Sequence, residues 1–213
     1  MKNGRDPART RSRILDAATV EFARYGLGGA RVDRIARRAR VNKAMLYYHF
    51  RSKQGLYRAL LRRTFTLAAE RFGAIAATAA PAPDKVDRLI AEFAGLIEQQ
   101  GVFPAIMLRE VAEGGAHLDR ETLLALAAVP QAVGRIVQQG IAEGAFRPVH
   151  PLFAHITMVA PIVFYLAAGP IRKELGALHV TGMQPPAAKD FIRHMQDVMR
   201  RVLTQHVSER PTS

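Results

Sequence analysis

The sequence predicts an all-α protein. Apolar residues recur at the i, i+3, i+4, i+7 spacing along nearly the whole chain. No segment alternates apolar and polar residues over the length of a strand, and there are no internal repeats or low-complexity runs. Capping and helix-ending residues fall at the joins between the periodic stretches.

Taken in order, Ile14, Leu15, Ala18 and Phe22 form the stripe of a first helix, closed by Gly26. Val32, Ile35, Ala36 and Ala39 mark a short second helix. Asn42 is suited to cap a third, from Lys43 to about His49, with Leu46 and Phe50 turned inward. Ser52 is suited to cap a fourth, whose stripe of Tyr57, Leu61, Phe65, Ala68 and Phe72 runs to about residue 78. "AAPAPD", residues 79–84, reads as a linker. Val86, Leu89, Ile90, Phe93, Leu96 and Ile97 then give a strongly amphipathic helix, and a shorter one covers about 103–113. The next, about 119–144, is expected to kink or break near Pro130. "GAFRPVHP" ends it, and a very apolar helix follows over about 151–168. Residues 176–186 look like a loop. A last helix over 187–207 repeats Phe191, Met195, Val198 and Val202, for about nine helices in all.

Composition bounds the function. At 213 residues the chain can bury a real core. It has no cysteine, which excludes disulfides, thiolate metal sites and a cysteine nucleophile. The basic start, "MKNGRDPARTRSR", has no apolar stretch behind it, so a cytoplasmic location is expected. "LFAHITMVAPIVFYLAAGPI", residues 152–171, approaches the length of a membrane span, but His155, Pro161 and Gly169-Pro170 interrupt it; no membrane partner is expected. No Gly-rich phosphate loop, G-x-S-x-G elbow or H-E-x-x-H helix occurs. The seven histidines are scattered, and Glu110 and Glu113 share a face in the manner of an ordinary surface pair. No enzyme activity, cofactor or metal centre is expected.

The charge is placed unevenly. Residues 1–63 carry 17 Lys and Arg against 4 Asp and Glu, so the whole formal charge of +13 lies in the first third and the remainder is neutral. A charge run is often only a solvated face. Asymmetry this complete suggests a polyanion-binding module attached to a neutral one.

Within that third, two short helices joined by "RVN" have helix-turn-helix proportions, in which the second helix enters the major groove. With Leu46 and Phe50 committed to the core, "YYH" (Tyr47, Tyr48, His49) is left largely on the outer side. Lys43 and Lys53 fall in first helical turns, where the macrodipole disfavours a cation by about 0.3–1 kcal/mol. A bound phosphate would reverse that sign, because backbone amides and ammonium then converge on one anion. Solvated lysines and packing aromatics are the plainer alternatives for each residue alone.

"SRILDAATVEFARYG" and then "VDRIARRARVNKAMLYYHFRSKQGLY" resemble the DNA-binding region of TetR-family bacterial repressors, over about residues 10–60 and chiefly through "LYYHF" followed by "SK". The resemblance implies DNA contacts from Lys43, Tyr47, Tyr48, His49 and Lys53. The chain departs from the family at Ala30 and Arg31, where Thr or Ser is usual, and Arg31 is a candidate phosphate contact in their place. It departs again at Arg40, often Gly, and at Ala44-Met45, often Gly-Thr; Ala44 can approach bases. Gln54 and Gly55 stand where the fourth helix usually has acidic residues.

The resemblance further implies a basic DNA-binding domain over 1–52 (1–8 a flexible tail) and a helical ligand-binding and dimerisation domain over 53–213 (207–213 a flexible tail). It implies a homodimer on a double-stranded DNA operator, joined through the helices at 151–168 and 187–207, with Val159, Val163, Phe191, Met195, Val198 and Val202 as candidate interface residues. A small-molecule inducer is expected in an apolar site drawn from Phe65, Phe72, Phe93, Phe103, Met107, Leu124 and Met158, each of which alone reads equally as plain core, with Glu110 and His155 as polar anchors or as rim residues. The expected function is a ligand-released repressor. The competing reading is an architectural or nonspecific nucleic-acid binder, which explains the charge but not the large neutral remainder.

Overall fold

Ten helices, and among the described residues no strand, make up the computed structural model, which describes residues 6–101, 103–178 and 186–204. They are α1 (Pro7–Gly29), α2 (Val32–Arg38), α3 (Lys43–Phe50), α4 (Lys53–Ala76), α5 (Ala82–Gln100), α6 (Phe103–Ala112), α7 (Arg120–Ala142), α8 (Pro151–Ala167), α9 (Gly169–Ala177) and α10 (Ala188–Leu203). The chain divides into two compact units, Met1–Leu67 with Gln99–Leu126, and Ala68–Glu98 with Ala127–Ser213. The first unit takes in the start of α4, all of α6 and the first turns of α7.

The first unit has one core. The predicted stripes of α1 to α3 are buried in it, with Ile14, Phe22, Ile35 and Leu46 fully enclosed, and Leu56, Leu60 and Leu61 of α4 join them. Phe22 meets the edge of Tyr57 with ring centroids 4.9 Å apart. Gly26 does interrupt α1, with φ 65 and ψ 179, but one more helical turn follows it. Asp6 caps the other end by accepting from the Ala8 amide, so residues 7 and 8, expected in a flexible tail, are helical; residues 1–5 lie outside the described set.

Two further expectations need correction. Residues 82–84 are not linker, because proline is tolerated in a first helical turn and Pro83 sits there in α5. Of the kink or break expected near Pro130, the break does not occur, since α7 runs through it. Gly169-Pro170 interrupts the apolar run as expected, and a further helix, α9, opens there with proline in its first turn. The expected loop at 176–186 therefore starts later, and its residues 179–185 lie outside the described set, as do those beyond 204 at the expected end of the last helix.

In the second unit, α8 packs on α10, and Ala154, Met158 and Ile162 of the former and Met195, Met199 and Leu203 of the latter are buried. The Asp87 carboxylate holds Arg200 at 2.5 Å, and the Asp87 carbonyl accepts from Gln196 at 3.1 Å, tying α5 to α10. Buried Lys85 donates to the Ala76 carbonyl at the end of α4 and to Gln139 of α7. Among the described residues no single helix is long and apolar enough to cross a membrane; α8 and α9 reach that length only together, and they are bent by 52°.

Candidate nucleic-acid interface

The helix-turn-helix is held by side chains reaching in from other elements. Arg31, the N-cap residue of α2, has no capping side chain of its own. Buried Glu21 of α1 fixes the start of α2 in another way: its Oε1 accepts from the Arg31 amide at 3.0 Å and from Arg34 Nε at 2.6 Å. These bonds go to the N-cap residue's own amide and to a guanidinium, not to the first-turn amides that a capping hydroxyl at Ala30 or Arg31 would serve. At the far end of α2, Arg13 donates to the carbonyls of Ala39 and Arg40. Asn42 caps α3 by accepting from the Met45 amide at 2.8 Å, and Ser52 Oγ accepts from the Gly55 amide at 2.9 Å in α4. Both caps are those the sequence predicts.

This framework leaves one side of α3 open. Tyr47 is 42% and Tyr48 78% exposed, and Ala44, Lys43 and Arg31 are exposed as well. Lys43 Nζ lies 3.0 Å from Asp33, which raises its pKa first through the hydrogen bond and then through the charge. The pair is open to solvent, so the ammonium can exchange Asp33 for another anion at little cost. Lys53 is placed differently from the expectation of a free cation. Its Nζ donates to the carbonyls of Gly28 and Ala30 at 3.0 and 3.2 Å, closing the end of α1. An ammonium has three donors, so one proton remains for an anion. His49 also departs from expectation: it is half-buried, with Nε2 enclosed and without a hydrogen-bond partner among the described residues.

The expected ligand residues fall into both units. In the first, Phe65 and Phe103 are buried edge to face with centroids 6.0 Å apart, Met107 packs on the same core, and Leu124 is 61% exposed and encloses nothing. Glu110 is 2% exposed, no rim residue, and accepts from the Tyr57 hydroxyl at 2.7 Å. In the second, Phe72 and Phe93 form another edge-to-face pair and Met158 is core. His155 is half-buried, its Nδ1 has no hydrogen-bond partner among the described residues, and burial pushes its pKa down.

Among the expected interface residues Met195 is a correction, because it is buried within its own chain, in the layer between α10 and α8. Val159, Val163, Phe191, Val198 and Val202 are half-buried, and Phe191 stacks on Tyr165 with centroids 3.8 Å apart. The sequence reading missed the outer face of α8, where Phe153 is 65% and Phe164 66% exposed. A helix apolar on two faces was the available signal.

Comparison with known proteins agrees with this geometry. Residues 14–60 match the family model described as bacterial regulatory proteins, tetR family, and residues 83–202 match the tetracyclin repressor-like C-terminal domain. The transcriptional repressor NicS of Pseudomonas putida is 26% identical over 198 residues, covering 92% of each chain. The repressor SCO4008 of Streptomyces coelicolor is 48% identical over 59 residues, 28% of this chain and 31% of that protein. In fold, the chain is similar to FadR of Bacillus subtilis in complex with stearoyl-CoA, with TM-score 0.73 and 17% identity over 90% of this chain and 98% of that one. It is also similar to HlyIIR, a hemolysin II transcriptional regulator, with TM-score 0.66 and 20% identity over 94% of this chain and 100% of that one. Since the C-terminal family model alone spans more than half of the sequence, this protein belongs to the TetR family of bacterial transcriptional regulators.

Proposed function

We propose that this protein is a homodimeric repressor that grips operator DNA through α3 and is released by a small, largely apolar molecule. The observation that carries the reading is the open side of α3, where two exposed tyrosines and the Lys43 ammonium stand together in the region that holds all of the net charge. Tyr47 and Tyr48 supply flat, polar-tipped surface for the groove wall, while Lys43, Arg31 and the third proton of Lys53 serve phosphates. In a two-fold dimer the paired reading helices would meet successive major grooves about 34–36 Å apart. The exposed apolar face of α8 supports pairing of that kind.

For the released state, His155 is the most suitable anchor. A neutral ring with an unused nitrogen, three residues before Met158 on one helix, suits a ligand with one polar group and an apolar body. The FadR of similar fold is in complex with stearoyl-CoA, whose acyl chain is an apolar body of that kind.

The deciding experiment is competition for a labelled fragment of the protein's own promoter region. The repressor reading expects bulk genomic DNA to compete far more weakly by weight than the unlabelled fragment; equal competition would favour an architectural binder. Lys43→Ala should lower the slope of log K against log salt by about 0.9 for each phosphate no longer neutralised. A thermal-shift screen of lipophilic compounds would find the releasing ligand by its mass-action stabilisation.

A further inference from the structure

Away from the reading surface, Glu110, Glu113 and His117 each bring one ligand atom within 4.8 Å of the others. All three belong to the first unit. Glu110 lies on the last turn of α6; its Oε1 accepts from the Tyr57 hydroxyl and sits 2.9 Å from His117 Nδ1. The same Nδ1 is 3.2 Å from Glu113 Oε2. Glu110 Oε2 is enclosed and has no partner among the described residues. Nδ1 carries at most one proton and cannot serve two carboxylates equally. A buried carboxylate oxygen with no donor is costly as well. A doubly charged cation answers both deficits.

We propose that Glu110, Glu113 and His117 form a binding site for a divalent first-row transition ion of the zinc type. Two carboxylate oxygens and one imidazole nitrogen are a donor set for such ions, whereas calcium and magnesium prefer oxygen alone. An ion about 2.0–2.2 Å from each donor sets tetrahedral neighbours roughly 3.3–3.5 Å apart, close to the 2.9 and 3.2 Å already present around Nδ1. The chain is shaped for this. Gly114 and Gly115 have φ of 66 and 74, and this left-handed pair turns the backbone so that a residue seven positions on returns to Glu110.

The site has an entrance. Glu113 and His117 line a cleft of about 500 Å³ together with Tyr25, Leu27 and Arg109, which leaves the ion's remaining positions to water or an anion. It also has a connection to the reading head. The Tyr57 hydroxyl links Glu110 to α4, the Tyr57 ring meets Phe22 of α1, and the neighbouring Arg109 donates to the Phe22 carbonyl at 3.1 Å.

The test is titration of metal-free, full-length protein with Co2+, followed by its visible absorption, and with Zn2+ by calorimetry. The expected result is one ion per chain, Zn2+ displacing Co2+, and a melting temperature that rises with Zn2+. His117→Ala and Glu113→Gln should each weaken uptake at least about tenfold, since loss of even an outer partner costs that much. No uptake at submillimolar Zn2+, or uptake undiminished in both variants, overturns the site in favour of a plain histidine–carboxylate pair. Should His117→Ala fail to fold by circular dichroism, Glu113→Gln decides alone, because Glu113 is exposed and its loss leaves the core intact.

Discussion

The turn between α2 and α3 and the turn after α7 both need a residue in the left-handed region, and the two turns fill that need differently. Arg40 has φ 52 and Arg51, closing α3, has φ 63, whereas Gly144 has φ 71 in the second unit. An L side chain in that region costs about 1–2 kcal/mol, and glycine costs nothing there. The reading motif thus keeps arginine where the turn after α7 uses glycine. Charge pairing occurs in both units. In the second unit Arg71 lies against Glu92 and Arg200 against Asp87 and Asp197. In the reading motif Arg34 lies against Glu21 and Lys43 against Asp33, while Arg13 and Lys53 bind backbone carbonyls. The second unit also exposes large apolar side chains, at Phe153 and Phe164. The reading motif thus keeps cations at a cost in backbone strain, and the outer face of α8 keeps phenyl rings in water.

The largest expected effect breaks the apolar side of that contrast. Burying a phenylalanine stabilises by about 1.5–3 kcal/mol, and a two-fold interface buries it twice. Phe164→Glu should therefore leave helix content unchanged by circular dichroism, yet give monomers in sedimentation at micromolar concentration and a matching loss of DNA affinity. A variant that sediments like the parent would remove the outer face of α8 from the dimer.

Tyr57→Phe comes next and acts on the core of the first unit. It removes the hydroxyl donor from buried Glu110, leaving Oε1 to His117 alone, and should cost about 1–2 kcal/mol at neutral pH. The pH dependence has a definite sign. Burial, and then the bond to Glu110, hold the Tyr57 pKa well above its ordinary value of 10.0. The folded state thus keeps a proton that the unfolded state releases above about pH 10, so this contribution is complete below pH 10 and fades as pH rises beyond it. Urea midpoints at pH 8 and pH 10.5 should differ less in Tyr57→Phe than in the parent.

Much of the fold was legible because local and global preferences agree. The stripes of α1 to α3 and of α5 are core almost residue for residue, and Asn42 and Ser52 cap as their side chains favour. The failure at Pro83 has a physical cause. Proline is excluded from a helix only where its missing N–H and its ring conflict with the preceding turn, and a first turn has no such conflict; at Pro130, inside α7, that conflict is present and does not end the helix. The interface helix was legible as a surface but not in its wiring. Glu21 serving Arg31 from ten residues upstream and Lys53 closing α1 from twenty-three downstream are tertiary facts. His117 joins Glu110 only through a glycine turn, a juxtaposition that helical spacing does not anticipate.

The smallest effect bears most directly on the left-handed turns. Arg40→Gly removes a strained φ worth about 1–2 kcal/mol but loosens the unfolded chain by roughly 0.4–1 kcal/mol. The net gain is about 0.5 kcal/mol, a rise in melting temperature of about 1–2 °C for a chain of this size. The Arg40 carbonyl that accepts from Arg13 belongs to the backbone and survives the change. Gly144→Ala is the mirror experiment: nothing lies within 4 Å of the added carbon, so its loss of about 1 kcal/mol would come from φ alone. If Arg40 is retained for its charge, Arg40→Gly must also lower the salt slope of DNA binding, by about 0.9 for each phosphate that the guanidinium neutralises. A more stable variant with an unchanged slope would mean that the strain serves no anion, and an Arg40→Gly variant less stable than the parent would mean that the turn is not strained at all.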